Sequence, residues 1–291
     1  MSKRKTDQPR PTVVACVGDL HAGSTLGLCP LDGVEVDDGG RYSPNASQRQ
    51  LWAWWCEFWA LFGEIADRDG AERVGIVNGE FIDNFHHRTV QVISPNPSTH
   101  IDAAIACMRI PLSYGIRQWY VTKGTEAHSG GGGALDEAVA RAIGAAQDPE
   151  SGKHSRYAWR VRIGGVVFDI SHHPQAGGGR LPWTRSAVAG REAAMLVASN
   201  YELPEEERAH VALRSHVHRF GDSGEDHPIR VLQQGCWQFS TAFGHKVASG
   251  TPPEIGGRIL RCVEGSYEVT TFRRKPRPAP LAIFEPSRKA N

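Results

Sequence analysis

Apolar runs recur along the chain, and most of them stop at a polar, metal-seeking residue. Thr12–Val17 is a short β-branched run that predicts a buried strand. Residues 24–46 are rich in Gly, Pro, Asp and Ser and predict a long loop, a length uncommon unless functional. From Ser47, a plausible N-cap, Trp52, Trp55, Trp59 and Phe62 fall at helical spacing and predict a core-facing stripe. Arg73–Asn78 and Arg117–Thr122 read as strands. A helix runs from Pro97 and Ser98 to about Tyr114, and another spans Ala134–Ala146 after a flexible Gly130–Gly133 run.

The period then changes. Trp159–Ile163, Gly164-Gly165 and Val166–Ile170 read as a hairpin with a Gly-Gly turn. A helix follows over about Thr184–Tyr201. Strands are expected at Ala209–Arg214, Ile229–Gln234, Arg258–Val263 and Tyr267–Phe272, the last pair turning at Gly265-Ser266. The first half therefore predicts a parallel sheet and the second half an antiparallel or mixed one. Together they give one α/β domain over residues 12–272, between a basic tail at 1–11 and a basic, Pro-rich tail at 273–291.

Composition adds mostly exclusions. At 291 residues the chain can bury a large core, and a net charge of +1 gives no bulk field toward nucleic acid or membrane. The basic residues gather instead at the ends, as Lys3, Arg4, Lys5, Arg273, Arg274, Lys275 and Arg277. The six cysteines form no CxxC pair, which argues for a reducing compartment and against a cysteine metal site. No apolar run reaches the ~20 residues of a membrane span, and no apolar segment follows the basic start. A cytoplasmic location is expected, without membrane contact and with the oligomeric state open.

Five stations carry the chemistry, each just past an apolar run: Gly18-Asp19-Leu20-His21, Gly79-Glu80-Phe81-Ile82-Asp83, Gly124-Thr125-Glu126-Ala127-His128, Ser171-His172-His173 and Ser215-His216-Val217-His218. Ligands of α/β sheets bind outside the carboxyl ends of strands, which is the reason to pool residues so far apart. Carboxylates and imidazoles are donors for divalent transition ions. Asp19 and His21 can turn toward one ion, and Glu80 is the natural bridging carboxylate. Asp83 is placed to hold a ligand histidine or a loop backbone. His216 and His218 can serve different ions, and His172, nearer its strand end than His173, is the expected third imidazole. His128 is a candidate general acid. Paired ions ~3.5–4 Å apart would activate a water between them. His86, His87 and His245 lie on loops that could touch a phosphate, and Arg180, Arg185 or Arg191 could hold one in a bidentate way.

At these stations the chain resembles the calcineurin-like metallophosphoesterases, whose pattern is Asp-x-His, Gly-Asp-x-x-Asp, Gly-Asn-His-Glu/Asp, a His, then Gly-His-x-His. The stretches Asp19–Asp38, Pro182-Trp183-Thr184-Arg185 and Thr241-Ala242-Phe243-Gly244-His245 look more narrowly like phage and prophage members. The resemblance implies a four-layer αββα sandwich of two mixed sheets flanked by helices, with two divalent ions, manganese first and iron, zinc or nickel as alternatives. Asp19, His21, Glu80 and His218 would hold one ion. Glu80, the third station, His172 and His216 would hold the other. Here Glu80 stands for the family's bridging Asp, Thr125 for its ligand Asn, Glu126 for its catalytic His and Ser215 for the Gly of the last motif. Glu126 would then substitute as a ligand and His128 as the catalytic imidazole. The implied activity is a phosphodiesterase, with nuclease action on nucleic acid one form of it. A phosphomonoesterase, or a metal-binding partner protein with attenuated catalysis, are the alternatives.

Overall fold

Strand β1 (Thr12–Val17) shows why this chain makes four layers. Its side chains alternate: Val13, Ala15 and Val17 enter a core beneath helices, while Val14 and Cys16 enter a second core between two sheets. A strand with both faces covered must be apolar on both, which explains its continuous apolar run. The computed structural model describes residues 10–175, 185–247, 251–277 and 281–284. The expectations placed on Lys3, Arg4, Lys5, Arg180, Pro182, Trp183 and Thr184 lie outside the described residues, as does the side chain of Arg185.

A small hairpin, β2 (Val34–Val36) and β3 (Gly40–Tyr42), sits inside the stretch expected to be loop. Helix α1 (Ala46–Arg68) is capped two residues earlier than the expected Ser47. Asn45 is the cap: its side chain accepts from the Gln48 N–H and the Gln48 side chain accepts from the Asn45 N–H, a reciprocal box. Trp55, Phe58, Trp59 and Phe62 are fully buried on this helix, each ring contributing about 2–3 kcal/mol. Trp52 packs at the edge of the same core.

Next come β4 (Glu72–Asn78), α2 (Pro97–Ser113), β5 (Gln118–Thr122), the short α3 (Glu126–Ser129) and α4 (Ala134–Ala142). The β6–β7 hairpin (Ala158–Ile163, Val166–Ser171) closes with Ile163 opposite Val166. Helix α5 (Arg185–Tyr201), β8 (Val211–Arg214), the two-residue β9 (Gly221–Asp222), β10 (Arg230–Gln233), α6 (Ala242–Val247), β11 (Ile255–Val263) and β12 (Ser266–Arg274) complete the order.

The first sheet runs β12-β11-β1-β4-β5 and the second β6-β7-β8-β10-β9. Both are mixed. The second sheet is drawn from the second half and is mixed as expected, but the expectation of a parallel first sheet built by the first half is corrected here: β11 and β12 join it, with β11 antiparallel to β1. Apolar side chains on both faces of β11 account for this. Ile259 faces the helices while Leu260 and Cys262 face the second sheet. Helices α1, α2 and α4 cover the first sheet, and α5 covers β9 and β10 of the second. Among the described residues no helix is long and apolar enough to cross a membrane.

Candidate metal centre

Parallel strands β1, β4 and β5 end one or two residues before Gly18, Gly79 and Gly124, while β7 and β8, also parallel to each other, end one or two residues before His172 and His216. Asn78, which the sequence did not single out, stitches the two sheets at this edge. Its side-chain N–H donates to Ser171 O (3.0 Å), its side-chain oxygen accepts from Thr122 Oγ1 (2.6 Å), and its backbone carbonyl accepts from His172 Nδ1 (2.8 Å).

The chain leaves these strands through left-handed backbone. Asp19, His21, Glu80, His216 and His218 have φ of 52°, 48°, 56°, 69° and 54°. Such values cost a non-glycine residue roughly 1–2 kcal/mol and persist where surroundings impose them, typically at functional sites. Here the imposing contacts are backbone bonds: Asp19 N–H to Gly79 O (3.0 Å), Leu20 N–H to Glu80 O (2.9 Å), Trp237 N–H to Asp19 O (2.8 Å) and Glu254 N–H to His218 O (2.9 Å).

Four side chains meet at one point. His21 Nε2 lies 3.2 Å from Glu80 Oε2 and 3.1 Å from His218 Nε2, which is 3.2 Å from Asp19 Oδ1. A second group joins His172, His173 and His216. Thr125 Oγ1 sits at its edge, 3.3 Å from His173 Nε2 and 3.3 Å from His216 Nδ1. Glu80 links the two groups: Oε2 faces His21, and Oε1 faces His172 Nε2 at 3.1 Å and accepts from the Thr125 N–H at 3.1 Å. The larger carboxylate fits because Gly124 leaves room, where a Cβ would fall 2.3 Å from Glu80 Cγ.

The donor set fits divalent ions. Asp19 Oδ1 and His172 Nε2 are buried 4.0 Å apart, faced only by other members of the cluster, His218 and Glu80, and the Nε2 atoms of His21 and His218 converge to 3.1 Å. Tautomers are preset for it. His21 Nδ1 donates to Asp83 Oδ1 (2.9 Å) and His172 Nδ1 to Asn78 O, so both Nε2 atoms face the centre.

Charge points the same way. Burial alone lowers the pKa of His21, but bonds to Asp83 and Glu80 outweigh it and raise it to about 10. Burial likewise opposes His172, yet the charges of Glu80 and Asp19 raise it to about 9. Against burial, His172 and His21 hold Glu80 well below the carboxylate range. His216 is instead pushed down to about 4, chiefly by burial, and is neutral at pH 7. Against burial, Cys236 and Asp19 raise His218 as well, so protons on His21, His172 and His218 occupy the place of a cation in chelator-treated protein. An ion must displace them, so metal affinity is expected to rise between pH 7 and 9 with proton release. Calorimetry in buffers of different ionisation enthalpy measures this, and uptake without proton release would refute it. The folded pKa values of His21 and His172 are raised, so their stabilisation of chelator-treated protein is full below about pH 6.5 and lost as pH rises through about 9 to 10.

The remaining expected residues are distributed unevenly. Asp83 is buried, and its carboxylate also accepts from Gln238 Nε2 (3.0 Å). His128 Nδ1 donates to Asp83 O (2.7 Å), leaving Nε2 as an acceptor, and its ring lies 4.7 Å from that of His21. Burial, with His21 and His86 beside it, lowers its pKa to about 4 despite Glu80 and Asp83. It is therefore neutral, and must take up a proton before it can deliver one as the expected acid. Glu126 is exposed on α3 and lies outside the three candidate ligand groups among the described residues. His86, rather than His87, lines the cavity beside the centre. His245 is exposed on α6 outside that lining. Arg185 opens α5.

Asp136 escaped the sequence reading. It is fully buried on α4 and accepts from the backbone N–H of Gly124 (2.8 Å), Phe81 (3.1 Å) and Glu80 (3.3 Å), and from Ser129 Oγ. It clamps the second and third stations together.

No family model matches the chain, and no curated protein matches it. Among solved structures, a dimetal phosphatase from Danio rerio is similar at 11% identity and a TM-score of 0.45, over 91% of this chain and 96% of that one. Vps29 from Entamoeba histolytica complexed with zinc is similar at 12% identity and a TM-score of 0.37, over 90% and 98%. A single mutant of the same protein gives 12% and 0.36, over 90% and 99%. Likenesses this distant say nothing of what this chain does.

Proposed function

We propose that the chain is a metal-dependent phosphoesterase acting on phosphodiesters. The observation that carries this reading is Glu80, whose two oxygens each face a separate histidine group. Asp19, His21, Glu80 and His218 would hold one divalent ion, and Glu80, His172 and His216, with His173 and Thr125 at the edge, the other. Ions there would supply Lewis acidity toward the phosphoryl oxygens and lower the pKa of a coordinated water.

The chain's own residues do the rest. Asp83 keeps the His21 proton on Nδ1, and Asn78 O does the same for His172. His128 Nε2 is the acceptor closest in character to a base, able to take a proton and return it to a leaving oxygen. The neighbouring cavity, about 260 Å³, runs from these ligands over Val217, Phe239, Thr241, Phe243 and Pro253. That apolar extension offers space for a second ester substituent, which favours a diester over a monoester.

The test is elemental analysis of purified protein joined to turnover of bis-p-nitrophenyl phosphate and p-nitrophenyl phosphate with added Mn²⁺. Two ions per chain and faster diester hydrolysis are expected. Faster monoester hydrolysis would make it a phosphomonoesterase. Ions without turnover of either would leave a metal-binding protein.

A further inference from the structure

The far wall of the cavity is aromatic and held in place. Phe243 on α6 lines the cavity yet is 52% exposed. One face is covered by the His87 ring, with centroids 5.6 Å apart and planes at 15°. His87 lies on a strained segment, with φ of 58° at Asn84, 49° at His87 and 55° at Arg88. The segment is braced from three sides. Asn84 N–H donates to His100 Nδ1 (3.0 Å), Asn84 Nδ2 to Ala127 O (3.2 Å), and Ala242 N–H of α6 to Gln91 Oε1 (2.7 Å). The last bond ties Phe243's helix to His87's loop, so the stack is a preset wall.

A rigid, half-exposed ring beside a phosphoryl-handling centre is suited to a planar partner. Nucleobases stack on aromatic side chains with little sequence preference, because every base presents a π-face. An aliphatic ester group would gain nothing from ring orientation, and strain would not be spent to fix it.

We infer that Phe243, backed by His87, is a base platform, and that the substrate is a nucleotide phosphodiester. This rests on the phosphoesterase reading above, and the experiment separates the two. Calorimetry of the full-length Mn²⁺-loaded protein compares thymidine monophosphate with inorganic phosphate. The nucleotide is expected to bind about tenfold more tightly, Phe243→Ala to abolish the difference and Phe243→Trp to keep it. Unchanged thermal melting shows that Phe243→Ala folds. Equal binding of the two probes by the unaltered chain, or a preference that survives Phe243→Ala, overturns the platform. In parallel, hydrolysis of methyl p-nitrophenyl phosphate is set against the p-nitrophenyl ester of thymidine monophosphate. Hydrolysis of the methyl ester without base preference sinks the platform and leaves the phosphoesterase. Base-dependent binding without hydrolysis of either ester sinks the phosphoesterase and leaves the platform.

Discussion

Glu80→Gln is expected to lower bis-p-nitrophenyl phosphate turnover on the order of a hundred- to a thousandfold and to reduce bound metal below two ions per chain. The amide keeps the shape of the side chain but removes the charge that faces His21 on one side and His172 on the other. One of its two heads becomes an NH₂ group, which cannot be a ligand. Glu80→Asp is the informative companion. It keeps the charge but withdraws the carboxylate from the space that Gly124 leaves open. Elemental analysis with kinetics on the same preparations decides the matter. A Glu80→Gln protein that holds two ions and turns over normally would remove Glu80 from the centre.

Asp136→Ala is expected to cost about 3–5 kcal/mol of folding stability, because three buried N–H groups and a hydroxyl lose their common acceptor. Denaturant unfolding of chelator-treated protein reads this directly, free of any contribution from ion binding. Metal affinity should fall as well, by roughly 10–100-fold, since the Glu80 and Gly124 backbones are no longer pinned to each other. A loss below about 1 kcal/mol would mean that water replaces the carboxylate.

These two residues also mark what could be read from the sequence. Glu80 was legible because it follows an apolar strand and shares a station with Asp83, and strand ends are where sheets present ligands. Asp136 was not. An acid in the first turn of a helix reads as ordinary complement to the helix dipole, and two of its partners, Glu80 and Phe81, lie on a loop more than fifty residues away. Glu126 shows the opposite case: adjacency to Thr125 suggested a ligand, and the start of α3 leaves it exposed, outside the candidate ligand groups. Left-handed backbone at Asp19, His21 and His218 has no signature either, because long-range hydrogen bonds impose it. At the level of fold, β1, β4, β5 and the β6–β7 hairpin were readable from local pattern. The placement of β11 beside β1 was not, since neighbours in sequence suggested a second-sheet strand and only the two-faced burial of β11 decides otherwise.

That placement bears on how the protein is made. Thr12 pairs with Cys262 and Cys16 with Arg258, so the first strand waits for almost the last. Contacts this distant in sequence slow folding, because loop closure precedes any reward. On the ribosome the β1 edge that will meet β11 stays open while the intervening residues are synthesised, and an open apolar edge invites wrong pairings. His218 also arrives late, ahead of β11 but after every other member of the candidate metal groups. Under the proposed metal reading, ion capture would be a closing event of biogenesis, and chaperone dependence during expression should track the β1–β11 ladder rather than the metal supply.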